Sequence, residues 1–587
     1  MILQALVHYY EALAAQGKIS KPGWGPAKIS YALELDSQGN LLGVQFLKKD
    51  GEDKGKKMRP REMLLPAAVK RSSGISTNFL WDNAIYMLGI DTKGKPDRAI
   101  QCFEAAKELH LSLLGTSEEP FAKAICGFFT KWNPSAAQEH PLLADRLADF
   151  AAGENLTFMF QTAYPSENPA LAAAWQAHYD NSGEGEHMRC LVTGTEVVPE
   201  ATHPSLKNVR GAQAVGAALV SFNAPAFCSY NREQNLNAPV GKYASFAYTT
   251  ALNHLLADAD HRAFIGDTTV VYWAESAEPQ FQDAFAHFFD GGSNTVQDRD
   301  LKSIMEKLAS GRAADWDGLP LNPDNRFYVL GLAPNAARVS VRFFLQDTFG
   351  DMVRHLQEHY LRLEIVKPSF DREQQISLWA LLQETVNQKS RNKTPAPQMA
   401  GDTLRAILTG GRYPATLYQG VQLRIRAERE ISRRRAALIK AYLLRNHESY
   451  KEVLTVKLNE ETTYQPYVLG RMFSVLENIQ ESASPGLNAT ITDKYLSSAC
   501  ATPATIFPIL LDLARKHMRK LETPMRIYYA KQLGSLMELI KDSYPHHHTL
   551  YDQGIFQLGY YHQTQKRYEK KEKSEEKSEK PKEEKNS

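Results

Sequence analysis

The chain has 587 residues, 43% hydrophobic and 23% charged, with a net charge of only +2. That length exceeds one core and predicts roughly two to four units. No apolar run approaches the ~20 residues of a membrane span, so no membrane partner is expected. The five cysteines, Cys102, Cys126, Cys190, Cys228 and Cys500, lack CxxC spacing, which argues against a disulfide framework or zinc ribbon and for a reducing cytoplasm.

Residues 2–15 read as an amphipathic helix without a basic n-region or cleavage site. Residues 28–35 (KISYALEL) and 41–47 (LLGVQFL) flank Ser37-Gln38-Gly39-Asn40 and predict a β-hairpin. A Lys-rich loop follows at 48–61, and Lys70-Arg71-Ser72-Ser73-Gly74 forms a second basic turn. Residues 78–90 are mostly apolar around Trp81. Helices are predicted over 96–114, 120–132 and 142–150, with short strands at 156–161 and 189–193.

The stretch 211–256 differs from its surroundings. Between Gly211 and Lys242 the only charged residues are Arg232, Glu233 and Lys242. Six side-chain amides (Gln213, Asn223, Asn231, Gln234, Asn235, Asn237) interleave with Phe222, Phe227 and Tyr230. Pro225 and Pro239 stop regular structure before an apolar helix from Tyr243. Buried amides need partners. This loop therefore either satisfies itself or offers donors and acceptors to a ligand.

Further strands are predicted at 269–274, 327–332 and 338–345. Beyond Asp347 only helices are expected, over 347–365, 371–389, 398–408, 414–446, 467–482, 493–499, 503–520, 524–541 and 551–571. The fold class is thus an α+β N-terminal part with many short mixed strands, then an all-α C-terminal part ending in a helical bundle. The expected domains are 1–345, a helical connecting region 346–465, a bundle 466–568, and a disordered tail 569–587 of seven Lys and seven Glu without an apolar side chain.

Charge is distributed unevenly. Residues 1–100 hold 15 Lys+Arg against 10 Asp+Glu, 251–330 hold 6 against 13, and 401–447 hold 10 against 3. Within the predicted 414–446 helix, Arg426, Arg429 and Arg433 fall on one face, as do Arg434 and Arg445 more loosely, a pattern that suits phosphates. The alternative is a solvated face with its stems packed on the bundle. No catalytic constellation emerges. Asp298-Arg299-Asp300 reads as a solvated acidic loop, and His546-His547-His548 lacks acidic or Cys companions. No Gly-Lys pair sits in a Walker loop. No metal or cofactor is expected.

Several motifs together are more specific. They are the segments from Cys190 (CLVTGT), His203 (HPSLKNVRGAQ), Ser221 (SFNAPAFCSY), Asn237 (NAPV), Phe246 (FAYTTALN), Val271 (VYWAE), Arg338 (RVSVRFF), Leu469 (LGRMFSVLE), Ala501 (ATP) and Gly559 (GYYHQTQ). On these the sequence resembles the large subunit of the type I-C CRISPR surveillance complex (Cascade), the Cas-eight-c or Csd-one family, over nearly the whole chain except the tail.

The resemblance implies a non-enzymatic role beside guide RNA. The family subunit recognises a protospacer-adjacent motif (PAM) on target double-stranded DNA and helps start strand separation and R-loop formation. It assembles with backbone and guide-processing subunits and supports recruitment of a helicase-nuclease. Its C-terminal part can also be made separately, as copies of the small subunit, and Met472 is the candidate internal start here. Lys494, Arg515, Lys516, Arg519 and Lys520 are candidate phosphate contacts in that bundle. Lys28, Arg71, Asn78, Asn223, Gln234 and Asn237 are the candidate PAM readers, and Arg426, Arg429, Arg433 and Arg434 the candidates for holding the displaced single strand. A metal-dependent nuclease and a purely structural assembly subunit are the alternatives.

Overall fold

The computed structural model describes every residue except 49–57, 70, 72–73, 92–93, 182–184, 291–297, 392 and 579–587. Lys70 and most of the Lys-rich loop at 48–61 therefore lie outside the described residues, as do the side chains of 298–300. The chain forms two compact units, residues 1–204 with 220–252, and residues 205–219 with 253–587. The expected boundary at 345 falls inside the second unit, because the strands after residue 260 cluster with the helices.

The first unit opens with α1 (Ile2–Ala15). Strand β1 (Trp24–Ile29) pairs antiparallel with β4 (Arg61–Pro66). Strands β2 (Tyr31–Leu35) and β3 (Leu41–Phe46) form the predicted hairpin, but Lys28 and Ile29 belong to β1 instead. β2 also runs parallel to β6 (Asn155–Phe160), which pairs antiparallel with β5 (Trp81–Asn83). The resulting order is β3-β2-β6-β5. The buried faces of β2 and β6 explain their near-continuous apolar sequence.

Helices α2 (Ala84–Leu88), α3 (Pro96–Leu114), α4 (Pro120–Lys131), α5 (Leu147–Ala151) and α6 (Pro169–Asn181) complete this layer. Pro96 and Pro120 each open their helix, where a missing N–H costs nothing. Residues 134–139 and 141–146 are 3-10 turns, the second taking the first part of the helix predicted over 142–150. The core is aromatic, with Phe79, Phe129 and Phe158 around His110. A two-residue ribbon follows, β7 (Met188–Arg189) with β8 (Glu196–Val197), in place of the longer strand predicted at 189–193. The apolar helix α7 (Lys242–Ala257) carries the chain across the division at residue 252.

The second unit contains a four-stranded antiparallel sheet. Its strands are β9 (Arg262–Ile265), β10 (Thr268–Ala274), β13 (Arg326–Asn335) and β14 (Arg338–Thr348). Between them lie α8 (Pro279–Asp290), α9 (Asp298–Ala309) and the small hairpin of β11 (Ala314–Trp316) with β12 (Leu319–Leu321). Residues 205–219 are tied to this sheet, with Ala218 bridging Arg338 and the Arg210 N–H donating to Thr269 Oγ1 at 3.0 Å. The stretch 211–256 is therefore divided between the two units.

After α10 (Phe349–Leu363) only helices follow. They are α11 (Leu378–Gln383), α12 (Pro397–Leu408), α13 (Ala415–Glu428), α14 (Arg433–Asn446), α15 (Gln465–Ala483), α16 (Ile491–Ala501), α17 (Pro503–Met518), α18 (Thr523–Glu538) and α19 (Leu550–Ser578). The α+β followed by all-α class is as the sequence predicts. The helix expected over 371–389 contracts to α11. The helix expected over 414–446 is broken, because Arg429 takes a left-handed backbone (φ +58°) and Ser432 caps a new helix through the Arg435 N–H. The α19 backbone stays helical to Ser578, into the Lys/Glu tail, and residues 579–587 lie outside the described residues.

Candidate nucleic-acid interface

In the first unit the turn from Arg71 to Asp82 is built around a buried carboxylate. Leu80 adopts φ +68°, unusual for a branched residue, and its N–H donates to His110 Nε2 at 2.9 Å. Burial pushes the His110 pKa down to about 4, leaving a neutral ring whose Nδ1 donates to the Ala106 carbonyl. That anchor turns Asp82 inward. Its carboxylate accepts from the Asn78 N–H at 2.9 Å and pairs with the Arg71 guanidinium. Burial raises the Asp82 pKa, against the opposing pull of Arg71 and the Asn78 N–H. The Arg71 guanidinium lies 4.1 Å over the Tyr86 ring, and its Nε donates to the Ser76 carbonyl.

This geometry separates the candidates. Asn78 is buried, and its Oδ1 accepts from the Val69 N–H at 2.8 Å, so its side chain holds the turn. Arg71 is stacked and ion-paired. Lys28 is exposed on β1, and its backbone carbonyl accepts from Asn155 Nδ2 at 3.0 Å. Asn155 in turn stands opposite Asn83 in the β5–β6 register. The structure thus connects Lys28 through Asn155 to the strand pair that carries Asp82, and both Lys28 and the Arg71 paired with Asp82 reach the surface.

The loop 220–241 is fastened at its base and open at its tip. Pro239 O accepts from the Leu191 N–H at 2.9 Å, and Val240 O from the Glu200 N–H at 2.9 Å. The Gly241 N–H points at Cys190 Sγ, and Asn235, fully buried, donates to the Glu200 carbonyl at 3.0 Å. Asn237 Oδ1 accepts from the Ser229 N–H at 2.7 Å, while its Nδ2 donates to the carbonyls of Arg232 and Gln234 at 2.8 and 2.9 Å. Two of the six amides thus satisfy the loop itself. Of the sequence-derived candidates in this loop, Asn237 has both ends of its amide engaged within the loop.

The polar and aromatic side chains exposed on the tip are Asn223, Phe227, Ser229, Tyr230, Asn231, Arg232, Glu233 and Gln234. Tyr230 is 94% exposed. Tyr230, Asn231 and Gln234 all have left-handed backbone, at φ +54°, +55° and +44°. Each such residue is held in a disfavoured well that the braces from Asn235 and Asn237 over-determine. Tyr230 and Arg232 are absent from the sequence-derived candidates. Their signal is their position, on a tip whose braces lie on either side.

The arginine cluster is not a continuous stripe. Arg426, Arg429 and Arg433 do not share a face, since α13 ends before Arg429. Arg433 Nη1 donates to Asp371 Oδ2 at 2.9 Å and to the Glu373 carbonyl at 2.7 Å. Arg434 makes a two-pronged pair with Glu373, both contacts at 3.0 Å. Their charges are already matched by carboxylates supplied from 371–373. Arg426 is exposed and donates to Gln553 Oε1 at 2.7 Å, and Arg429 is exposed at the break.

Met472 is fully buried in α15. Lys494, Arg515, Lys516, Arg519 and Lys520 lie on α16 and α17 and the turn after it, with Lys516 paired to Asp512 at 2.9 Å. Among the described residues no group of three His, Cys, Asp or Glu side chains is arranged to hold a metal ion. Of the three consecutive histidines, His548 is buried, with Nδ1 on the Cys500 carbonyl at 2.9 Å. No helix among the described residues is long and apolar enough to cross a membrane.

Comparison with known families names the system to which the chain belongs. The model of a family of CRISPR-associated proteins matches residues 6–568. The chain belongs to that family, Cas_Csd1, the Cascade large-subunit family that its motifs resemble. No match to a curated protein accompanies it.

Proposed function

We propose that the chain is a non-catalytic large subunit of an RNA-guided CRISPR complex, and that its loop 220–241 reads the PAM on duplex DNA. The observation that supports this most is the loop tip, where three consecutive or near-consecutive non-glycine residues sit left-handed over an internally braced base. Such strain costs about 1–3 kcal/mol per residue and is concentrated at sites that present groups to a ligand. The tip offers an amide at Gln234, another at Asn223, a guanidinium at Arg232 and an aromatic wedge at Tyr230. Amides suit base edges, and apolar rings suit insertion between base steps. Lys28 serves as a phosphate contact that positions the duplex, and Arg71 is a second cation, fixed by Asp82.

In this reading guide RNA supplies sequence by pairing, and the protein supplies motif recognition, strand separation and support for helicase-nuclease recruitment. Arg426 and Arg429 are the members of the arginine group available to the displaced strand. Synthesis from Met472 would yield a small C-terminal form.

The test is DNA binding by the reconstituted complex, with motif and target varied separately. Gln234→Ala and Tyr230→Ala are expected to lower motif-dependent affinity by about 1–3 kcal/mol, the range for one good base contact, without altering binding to a target lacking the motif. Full motif discrimination in the double variant would overturn the reading. A purely structural role is the second reading, favoured by the internal engagement of Asn78, Asn237 and Arg71. It predicts no motif-dependent loss in any surface variant of the first unit.

A further inference from the structure

In the second unit a cavity of about 500 Å³ opens between α15, α18, α19 and the segment 458–460. Its lining is more polar than a packing defect between helices would be. Arg471, Asn478, Gln532, Lys531, Lys566 and Tyr528 all reach it.

The cations there are not equivalent. Lys566 pairs with Glu460, and Arg567 pairs with Glu481 at 2.6 Å while donating to Asn478. Arg471 differs. It is 93% buried (7% exposed), and its Nε donates to Gln563 Oε1 at 3.1 Å and its Nη1 to the carbonyls of Asn459 and Glu460, each at 3.2 Å. No carboxylate pairs with it among the described residues. A buried cation satisfied only by neutral oxygens keeps its full charge and exerts it through a poorly screened medium. Burial holds its pKa below the usual arginine range, consistent with the missing counter-ion. Lys531, exposed on α18, likewise has no ion-pair partner among the described residues. Two uncompensated cations therefore line one cavity.

The cavity also presents a flat apolar surface. Tyr528 is exposed and packs edge-on against Tyr529, with ring centroids 5.2 Å apart. Gln532 Nε2 donates to the Tyr528 hydroxyl at 2.9 Å and fixes that ring. Cations beside a fixed aromatic ring match a ligand that carries both an anionic group and a planar ring, and single-stranded nucleic acid repeats that pair at every residue.

We propose that this cavity holds one nucleotide of a single-stranded nucleic acid, with its phosphate on Arg471 and Lys531 and its base against Tyr528. The inference rests on the nucleic-acid reading above and deepens it with residues other than those assigned there, in a different unit from the motif-reading loop. It also separates the two forms of the protein. Glu460 and Arg471 precede Met472, so a C-terminal copy begun there lacks the buried cation and this site is complete only in the long chain.

The experiment uses the full chain without guide or motif. Binding of a fluorescein-labelled oligo-dT is followed by fluorescence anisotropy across a salt series. Lys531→Glu touches no packed contact and should weaken binding about fivefold or more, with the salt slope reduced by about one. Lys451→Glu, an equal charge reversal on a surface residue paired with Glu448, corrects for net charge. Tyr528→Leu should weaken binding severalfold at unchanged slope, and a photoreactive 5-iodouridine oligomer should crosslink to the peptide holding Tyr528 and Tyr529. Inorganic phosphate and a free mononucleotide are titrated as competitors. Displacement of the oligomer only at concentrations far above its own supports a strand, whereas displacement by the mononucleotide at comparable concentration overturns it in favour of a free nucleotide. Equal binding by the Lys531→Glu and Lys451→Glu variants overturns the site altogether. That outcome leaves motif recognition by the first unit standing, since motif dependence is measured separately in the assembled complex.

Discussion

Gly470 of α15 and Gly559 of α19 are the points where the two longest-packed helices of the bundle meet backbone to backbone. A Cβ on Gly470 would stand 1.9 Å from the Phe556 carbonyl oxygen, and one on Gly559 would stand 2.1 Å from that of Tyr467. Neither neighbour is a flexible side chain that can yield. Gly470→Ala is expected to destabilise the second unit by at least the ~1–3 kcal/mol typical of overpacking. Gly534, in α18, has nothing within 4 Å of its would-be Cβ. Gly534→Ala should instead stabilise by about 0.5–1 kcal/mol, the helix penalty of glycine. Urea unfolding followed by far-ultraviolet circular dichroism distinguishes the two signs.

Arg435 joins two helices and a loop by charge. It is 4% exposed, with its guanidinium on Glu384 at 2.9 Å, on the Glu428 carboxylate, and on the Glu430 carbonyl. Removing it leaves two carboxylates facing each other, so Arg435→Ala should cost about 3–5 kcal/mol. Arg434 makes an equally good two-pronged pair with Glu373, yet 42% of its side chain is exposed. Solvent screens that pair, and Arg434→Ala should cost less than about 1 kcal/mol. Denaturant midpoints of the two variants give the comparison directly.

These pairs also show where the sequence was readable and where it was not. Helix α3 starts and ends where its proline and its periodicity place it, because both signals are local. The short strands β4, β5 and β9 left little trace in the sequence, since three to six residues carry almost no periodicity and their pairing is distant. The arginines of 424–445 look like one stripe in sequence. The break depends on a left-handed Arg429 and a Ser432 cap, and the partners of Arg433 and Arg434 come from a segment some sixty residues earlier. In the loop, composition revealed the surplus of amides. Only three-dimensional bracing divides Asn235 and Asn237, which hold the loop, from Asn223 and Gln234, which face out.

His261 is clamped between two carboxylates, with Nδ1 2.6 Å from Asp258 and Nε2 2.5 Å from Asp283. Burial alone would lower its pKa, but the hydrogen bonds and charges of Asp258 and Asp283 outweigh it, and the net shift is upward. The folded protein therefore binds this proton more tightly than the unfolded chain. The stabilisation is complete below the unfolded imidazole pKa of about 6.5 and is lost as pH rises through the higher folded value. Both carboxylates are partly exposed, so the contribution should stay below about 1 kcal/mol. His261→Gln should flatten the alkaline side of the stability–pH curve between pH 6 and 9, measured by thermal melts. A variant curve parallel to the wild type would show that the clamp does not titrate.

The loop allows strain and bracing to be separated. Tyr230→Gly removes a left-handed non-glycine residue and should leave stability unchanged or raise it by about 1–2 kcal/mol. Asn237→Ala removes the acceptor of the Ser229 N–H and the donor to two carbonyls, and should loosen the loop at a cost of about 1–2 kcal/mol. Limited proteolysis reports the difference, with cleavage within 220–241 faster in Asn237→Ala and no faster than wild type in Tyr230→Gly. Both variants should lose motif-dependent DNA binding, one because the presented ring is gone and the other because the tip is no longer held. If Tyr230→Gly binds motif DNA as well as wild type while Asn237→Ala does not, the ring is not a contact and the amide side chains of Asn223 and Gln234 carry the recognition.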